Sequence, residues 1–232
     1  MKIDYTYALL WYIVFIISAT VHEAAHAWAA KLGGDLTAYA GGQVSLNPWP
    51  HIKREIFGMV IIPIVTAFGV GWPIGYASTP YDPIWAYNHP RKAAWMAAAG
   101  PAANLLIVII CYLVIQAGVV SGIFLQPDLV NMRHIIDAGD GGQSGITLFV
   151  SMLFTMNLIL VVLNLIPFPP LDGSAIISLF LHDNAARSYR KVISNPMFGF
   201  VGLALAWFAF SPLFQWVFLG SINIIYCGSH YR

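Results

Sequence analysis

Charge is what this sequence has least of. Only 9% of its 232 residues are Asp, Glu, Lys or Arg, against 59% hydrophobic and 14% aromatic, where soluble domains carry about 25% charged residues. A water-soluble monomer is excluded on that ground. An excess of either sign is missing as well: eleven Lys and Arg against ten Asp and Glu leave a formal charge of +1, so there is no basic field of the kind nucleic-acid binding needs. Cysteine is nearly absent. Cys111 and Cys227 stand far apart in apolar runs, forming neither a metal-spacing motif nor a disulfide framework, and read as small apolar side chains. Repeats, low-complexity tracts and long polar segments are missing too. The longest polar connection between well-defined spans, 121–145, runs to about 25 residues and holds no independent soluble domain.

What is present is a series of long apolar runs. The first, 7–32, is long enough at about 1.5 Å per residue to cross a hydrocarbon core about 30 Å thick. It carries His22, Glu23 and His26 and no small-residue cleavage site, which argues against a signal peptide. The runs 93–120 and 146–166 read as full spans. Between the runs 7–32 and 93–120 lies a loop region, 33–92, whose apolar part, Ile56 to Gly75, is broken by Pro63, Gly69, Gly71 and Pro73. A proline-broken segment, 167–182, contains a short helix candidate from Ser174 to Leu181. The last run, 197–227, contains Gly199, Gly202 and Pro212 and reads as one kinked helix or a hairpin. The expected fold class is therefore an all-α polytopic membrane protein, a single membrane-embedded domain over 1–232. It has about four to six transmembrane helices and a re-entrant or β-loop segment after the first.

The few basic residues set an orientation. If Ile56 to Gly75 dips in and returns, and the last run crosses once, Lys31, Lys53, Arg54, Arg91, Lys92, Arg187, Arg190 and Lys191 share one side against Lys2, Arg133 and Arg232. Such asymmetry is what the positive-inside rule expects. The amino terminus is then outside and residues 31–93 face the cytosol.

An ionisable side chain in hydrocarbon costs several kcal/mol unless it is paired or ligates something. Of the ten acids only Glu23 and Asp172 lie in or against apolar segments, and of the seven histidines only His22 and His26 do; His51, His89, His134, His182 and His230 are in connecting or terminal stretches. His22 and His26 are four apart, so on a helix their imidazoles share one face and can hold one tetrahedral ion. Glu23 is turned about 100° away, beside the ion's open position, where a carboxylate can act as general base toward water. His22 lies about 15 Å along the axis from the paired glycines Gly33-Gly34, which suit a left-handed cap, so the site is below the membrane surface. Two histidines and a water leave a zinc site one protein ligand short, and Asp172 is the natural third. It follows a stretch with Pro167, Pro169 and Pro170 that breaks a helix at membrane depth, which is tolerated only around a protein-lined cavity. Asp172 could instead cap the helix that follows it.

These residues resemble the site-2 protease family of intramembrane zinc metalloproteases, in a short form. The marks are His22-Glu23-Ala24-Ala25-His26, Gly100-Pro101-Ala102-Ala103-Asn104, and Asn164-x-x-Pro167-x-Pro169-x-Leu171-Asp172-Gly173, all in the family's order on apolar segments. The resemblance, covering about residues 7–182, implies one zinc ion held by His22, His26 and Asp172, with Glu23 as general base, and peptide bonds hydrolysed within or near transmembrane segments of membrane proteins. It also implies Asn104 and Asn164 as polar contacts to the substrate backbone, with an interhelical hydrogen bond as the alternative for each. By the same resemblance, residues 40–48 are where the family places a membrane-associated β loop, although a plain surface turn fits the sequence equally. Neither a PDZ-type domain in the 121–145 loop nor a nucleotide-sensing tail is expected. The implied partners are a membrane protein or peptide substrate and the lipid bilayer, with a regulatory partner left open, and the expected location is a prokaryotic cell membrane with the site toward the cytosol. Three other classes fit parts of the pattern: a metal-ion transporter, a catalytically silent membrane binding protein of the same fold, and a zinc hydrolase acting on lipid-linked amides.

Overall fold

A computed structural model describes residues 4–227; Lys2, His230 and Arg232 lie outside them. Among the described residues four helices are long and apolar enough to cross a membrane: α1 (Tyr5–Gly33), α6 (Pro90–Val120), α7 (Gly145–Leu165) and α10 (Pro196–Ile225). Shorter elements fill the connections. They are α2 (Thr37–Ala40), α3 (Pro48–Arg54), a π-helical turn (Phe57–Ile61) running into α4 (Ile62–Val70), α5 (Pro83–Asn88), α8 (Asp172–Ile176) with a 3-10 turn (Ile177–Phe180), and α9 (Asp183–Ile193). The only strands among the described residues, β1 (Phe124–Leu125) and β2 (Asp137–Ala138), pair antiparallel within the 121–145 loop.

Three of the four spans begin on capping chemistry visible in the sequence. The Asp4 side chain accepts from Thr6 N to open α1, and Gly34, at φ +99°, closes it in the left-handed conformation that glycine adopts without a Cβ clash. Ser144 and Thr147 form a reciprocal capping box at the start of α7, and Asn195 caps α10 with Pro196 at its first turn. The last apolar run is one continuous helix with Pro212 inside it, not a hairpin.

The broken second run doubles back. Its helical part, Phe57–Val70, extends about 21 Å, short of a hydrocarbon core. After the left-handed turn at Gly71 the chain returns extended alongside it: Ile74 N donates to Thr66 Oγ1 (2.8 Å), Tyr76 N to Gly58 O (3.0 Å), and Ser78 Oγ to Glu55. Residues 40–48 contain no strand. The turn alternative is the one realised, because Gln43 N bonds Ala38 O across Gly42 (φ +74°) and Pro48 then starts α3.

The spans stand side by side with α6 against both α1 and α7. One apolar cluster joins α6, α7 and α10 through Ile115, Phe154, Phe218 and Ile222; a second joins α1, α7 and the doubled-back segment through Trp11, Phe15, Met59 and Met156. Outward-facing Phe200, Trp207, Phe208 and Trp216 leave α10 apolar toward its surroundings. At one end of the bundle Lys92 Nζ donates to Gly33 O (3.1 Å) and Arg91 pairs with Asp183 (3.3 Å). At the other end Arg133 lies over the Tyr7 ring.

Candidate metal centre

Three of the expected site residues sit on the middle of α1, and the fourth comes from the broken segment after α7. His22, Glu23 and His26 are each only 6% exposed, although no soluble-protein core surrounds them. The i, i+4 spacing turns both imidazoles toward α6 and α8, with their Nε2 atoms 2.9 Å apart. Asp172 Oδ2 lies 3.2 Å from His22 Nε2 and 3.3 Å from His26 Nε2. Asp172 is the first residue of α8, and the cap position, Leu171, makes no side-chain cap bond. The capping alternative for Asp172 is thus not the one seen.

Whether this donor set fits a metal can be tested on its own distances. Three ligand atoms about 2.0 Å from a tetrahedral ion lie about 3.3 Å from one another, and the triangle here has edges of 2.9, 3.2 and 3.3 Å. The far sides of both rings meet acceptors. His22 Nδ1 is 2.5 Å from Asn104 Oδ1 and His26 Nδ1 is 2.7 Å from Met96 O. Both acceptors call for a proton on Nδ1, which leaves the Nε2 lone pairs for an ion. Space is reserved as well: a Cβ at Gly100 on α6 would collide with the His26 ring and come within 2.6 Å of His22 Nε2. The residues present fit a zinc ion.

Glu23 is within 4.8 Å of the donor atoms of both histidines, but its carboxylate is tethered elsewhere. Thr79, on the returning extended segment, places Oγ1 2.6 Å from Glu23 Oε2 and 2.9 Å from Glu23 O. The doubled-back segment therefore reaches the site through one hydroxyl.

Asn104 does not stand where a substrate contact would. It is 0% exposed, its oxygen faces His22, and its amide hydrogens go to Asn157 Oδ1 (2.8 Å) and Ser18 O (3.3 Å). Packing of α6 between α1 and α7 consumes all its polar atoms, so the interhelical alternative is realised. Asn164 differs. It is half-buried, and its nitrogen bonds Leu160 O (3.0 Å) one turn back on α7. Sequence reasoning missed Asn157, Thr79 and the role of Gly100. A buried amide inside an apolar span was the one available signal, for Asn157 alone.

Fold and site together define a class: a multi-pass membrane protein with a His–His–acid cluster inside the bundle and a second acid beside it. The comparisons are specific. The model of peptidase family M50, the site-2 protease family, matches residues 10–209, and the chain belongs to that family; it is a metallopeptidase. YwhC of Bacillus subtilis (strain 168), provisionally named a zinc metalloprotease, is 35% identical over 177 residues, covering 75% of this chain and 70% of that protein. Rip2 of Mycolicibacterium smegmatis (strain ATCC 700084 / mc(2)155), named in the same terms, is 26% identical over 176 residues, covering 75% of this chain and 58% of that protein. No solved structure matches the chain significantly.

Proposed function

We propose that this protein is an intramembrane zinc metalloprotease that hydrolyses peptide bonds within or near transmembrane segments of membrane proteins. One observation carries the reading: the equilateral-like triangle of His22 Nε2, His26 Nε2 and Asp172 Oδ2, buried part-way along a membrane-length helix with Glu23 beside it. His22, His26 and Asp172 would hold a single ion, which when bound supplies Lewis-acid polarisation of the scissile carbonyl and lowers the pKa of a water to about 7. Everything else falls to the chain. Glu23 takes one proton from the attacking water as the oxygen bonds to the carbonyl carbon. It then delivers that proton to the amide nitrogen as the C–N bond breaks, so acid and amine products balance. Thr79 holds one carboxylate oxygen, aiming the other. Asn164 provides an amide for the backbone of a substrate that has unwound, since helical carbonyls are otherwise occupied.

The topology supports a site facing the cytosol, because the basic residues gather at the Gly33 end of α1, nearer His22 than the Tyr5 end is, and the bacterial relatives support a prokaryotic cell membrane. In this reading one membrane-embedded domain carries all three motifs, in keeping with the family match over residues 10–209. A metal-transport reading is disfavoured by the site's surroundings: Ser18, Asn104 and Asn157 are fully buried and bonded to one another rather than arrayed along a hydrated path. The test is Glu23→Gln in proteoliposomes with a single-span substrate. Zinc content should stay at the native level while cleavage falls by about 10²–10⁴-fold. Undiminished cleavage contradicts the role of Glu23, and zinc flux without any cleavage contradicts the protease reading.

A further inference from the structure

The histidine ligand site is backed by a polar chain that runs past Asn104 to Asn157 and Ser18, two residues that no motif contains. Asn157, in the middle of α7, is 0% exposed, as is Ser18 on α1. Its Nδ2 lies 2.8 Å from Leu153 O and 2.9 Å from Ser18 Oγ; its Oδ1 lies 2.8 Å from Asn104 Nδ2. Asn104 Oδ1 in turn meets His22 Nδ1 at 2.5 Å. A side-chain amide buried in a membrane-length helix is costly unless every donor and acceptor is used, and here they are used in one direction.

That direction is forced. A backbone carbonyl only accepts, so Leu153 O requires the NH2 of Asn157 on its side, which turns Asn157 Oδ1 toward α6. An oxygen there requires the NH2 of Asn104 opposite it, a choice that Ser18 O, also only an acceptor, reinforces at 3.3 Å. Asn104 must then present its oxygen to His22, and His22 must carry its proton on Nδ1. Reversal of either amide would set an NH2 against His22 Nδ1, drive the proton to Nε2 and remove the lone pair aimed at Asp172. His26 needs no such relay because Met96 O fixes it directly.

We propose that Asn157 is a positioning residue for the metal centre, acting through the Asn104 amide to hold His22 in its ligating tautomer. The proposal rests on the reading of His22 as a zinc ligand. Its effect is set by the path: Asn157 reaches the ion only through Asn104, so the two residues share one contribution instead of adding two.

The experiment is a double-mutant cycle on zinc affinity, measured by chelator competition in detergent on native protein, Asn157→Leu, Asn104→Leu and the double variant. Asn157→Ala serves as a second variant at the same position, and metal-free thermal melting verifies folding. The expected result is about 10-fold weaker zinc binding for each folded single variant, with no further loss when Asn157→Leu is added to Asn104→Leu. In metal-free native protein the 15N resonances of His22, assigned by loss in His22→Gln, should report Nδ1–H, and folded Asn157 variants should show a mixture of tautomers. Native-like zinc affinity in a folded Asn157 variant overturns the proposal, as does an undiminished effect of Asn157→Leu when Asn104 is already replaced. Failure of both Asn157 variants to fold, with the Asn104→Leu protein folded and native in zinc affinity, also overturns it. Native protein that binds no zinc overturns the metal-site reading itself, an outcome distinct from the others.

Discussion

His22 and His26 are equivalent by helical spacing but not by what holds them. His26 is tied to a backbone carbonyl, Met96 O, which no side-chain substitution removes, whereas His22 depends on the Asn104 side chain. Both rely on the missing Cβ of Gly100, since a methyl there would meet the two rings at once, and a packed helix backbone cannot move aside cheaply. Gly100→Ala is therefore expected to leave the protein folded in the membrane while weakening zinc binding by about 10–100-fold; unchanged affinity in a chelator titration would contradict the assigned crowding. The residues that form the triangle were legible in the sequence because an ionisable group in an apolar span is conspicuous. Asn157 and Thr79 were not, because neutral polar residues are ordinary in isolation, and the partners that give them meaning lie 53 and 56 positions away along the chain. Asn104 was legible as a site residue with two readings, and the depth at which α6 packs decides for the interhelical one.

At the scale of elements, the four spans follow from apolar length and capping chemistry and match the sequence reading to within about three residues. The region 33–92 was legible only in part: its return was expected from the balance of basic residues, but the contacts that hold it are distant in sequence. Asp35 shows the kind of contact involved. Nearly fully buried just past the end of α1, it accepts from Thr37 N (2.9 Å), Thr37 Oγ1 (2.6 Å) and Asp82 N (2.8 Å), so it ties the turn after α1 to the start of α5. Burial alone would raise its carboxyl, but these three donors hold it below the ordinary carboxylate range. A carboxyl depressed in the folded state adds stability above its unfolded pKa of about 3.9 and loses it as pH falls. Asp35→Asn should thus melt lower than native protein at neutral pH, and show a smaller further drop on acidification through pH 4. Parallel melting curves for the two proteins across that range would show that Asp35 is not the tie described.

For the whole molecule, scarcity of charge turns each basic residue into an orientation marker. The doubled-back segment returns to the end from which it started, so α1, α6, α7 and α10 alternate in direction, and both ends of the described chain lie at the Arg133 end of the bundle. Cysteines placed at Lys53 and Arg91, in a background with exposed Cys227 replaced and buried Cys111 kept, should label from the cytosolic face, and one at Arg133 from the opposite face. Labelling of Lys53→Cys and Arg91→Cys from different faces would mean that the segment crosses instead of returning.

Two motifs nearly 150 positions apart in the sequence meet at one candidate metal centre. Metal analysis of the purified protein beside His22→Ala and Asp172→Ala tests this most directly. The expected result is close to one zinc per native chain, lost in both variants while each remains folded. Zinc retained at the native level in folded Asp172→Ala would contradict it.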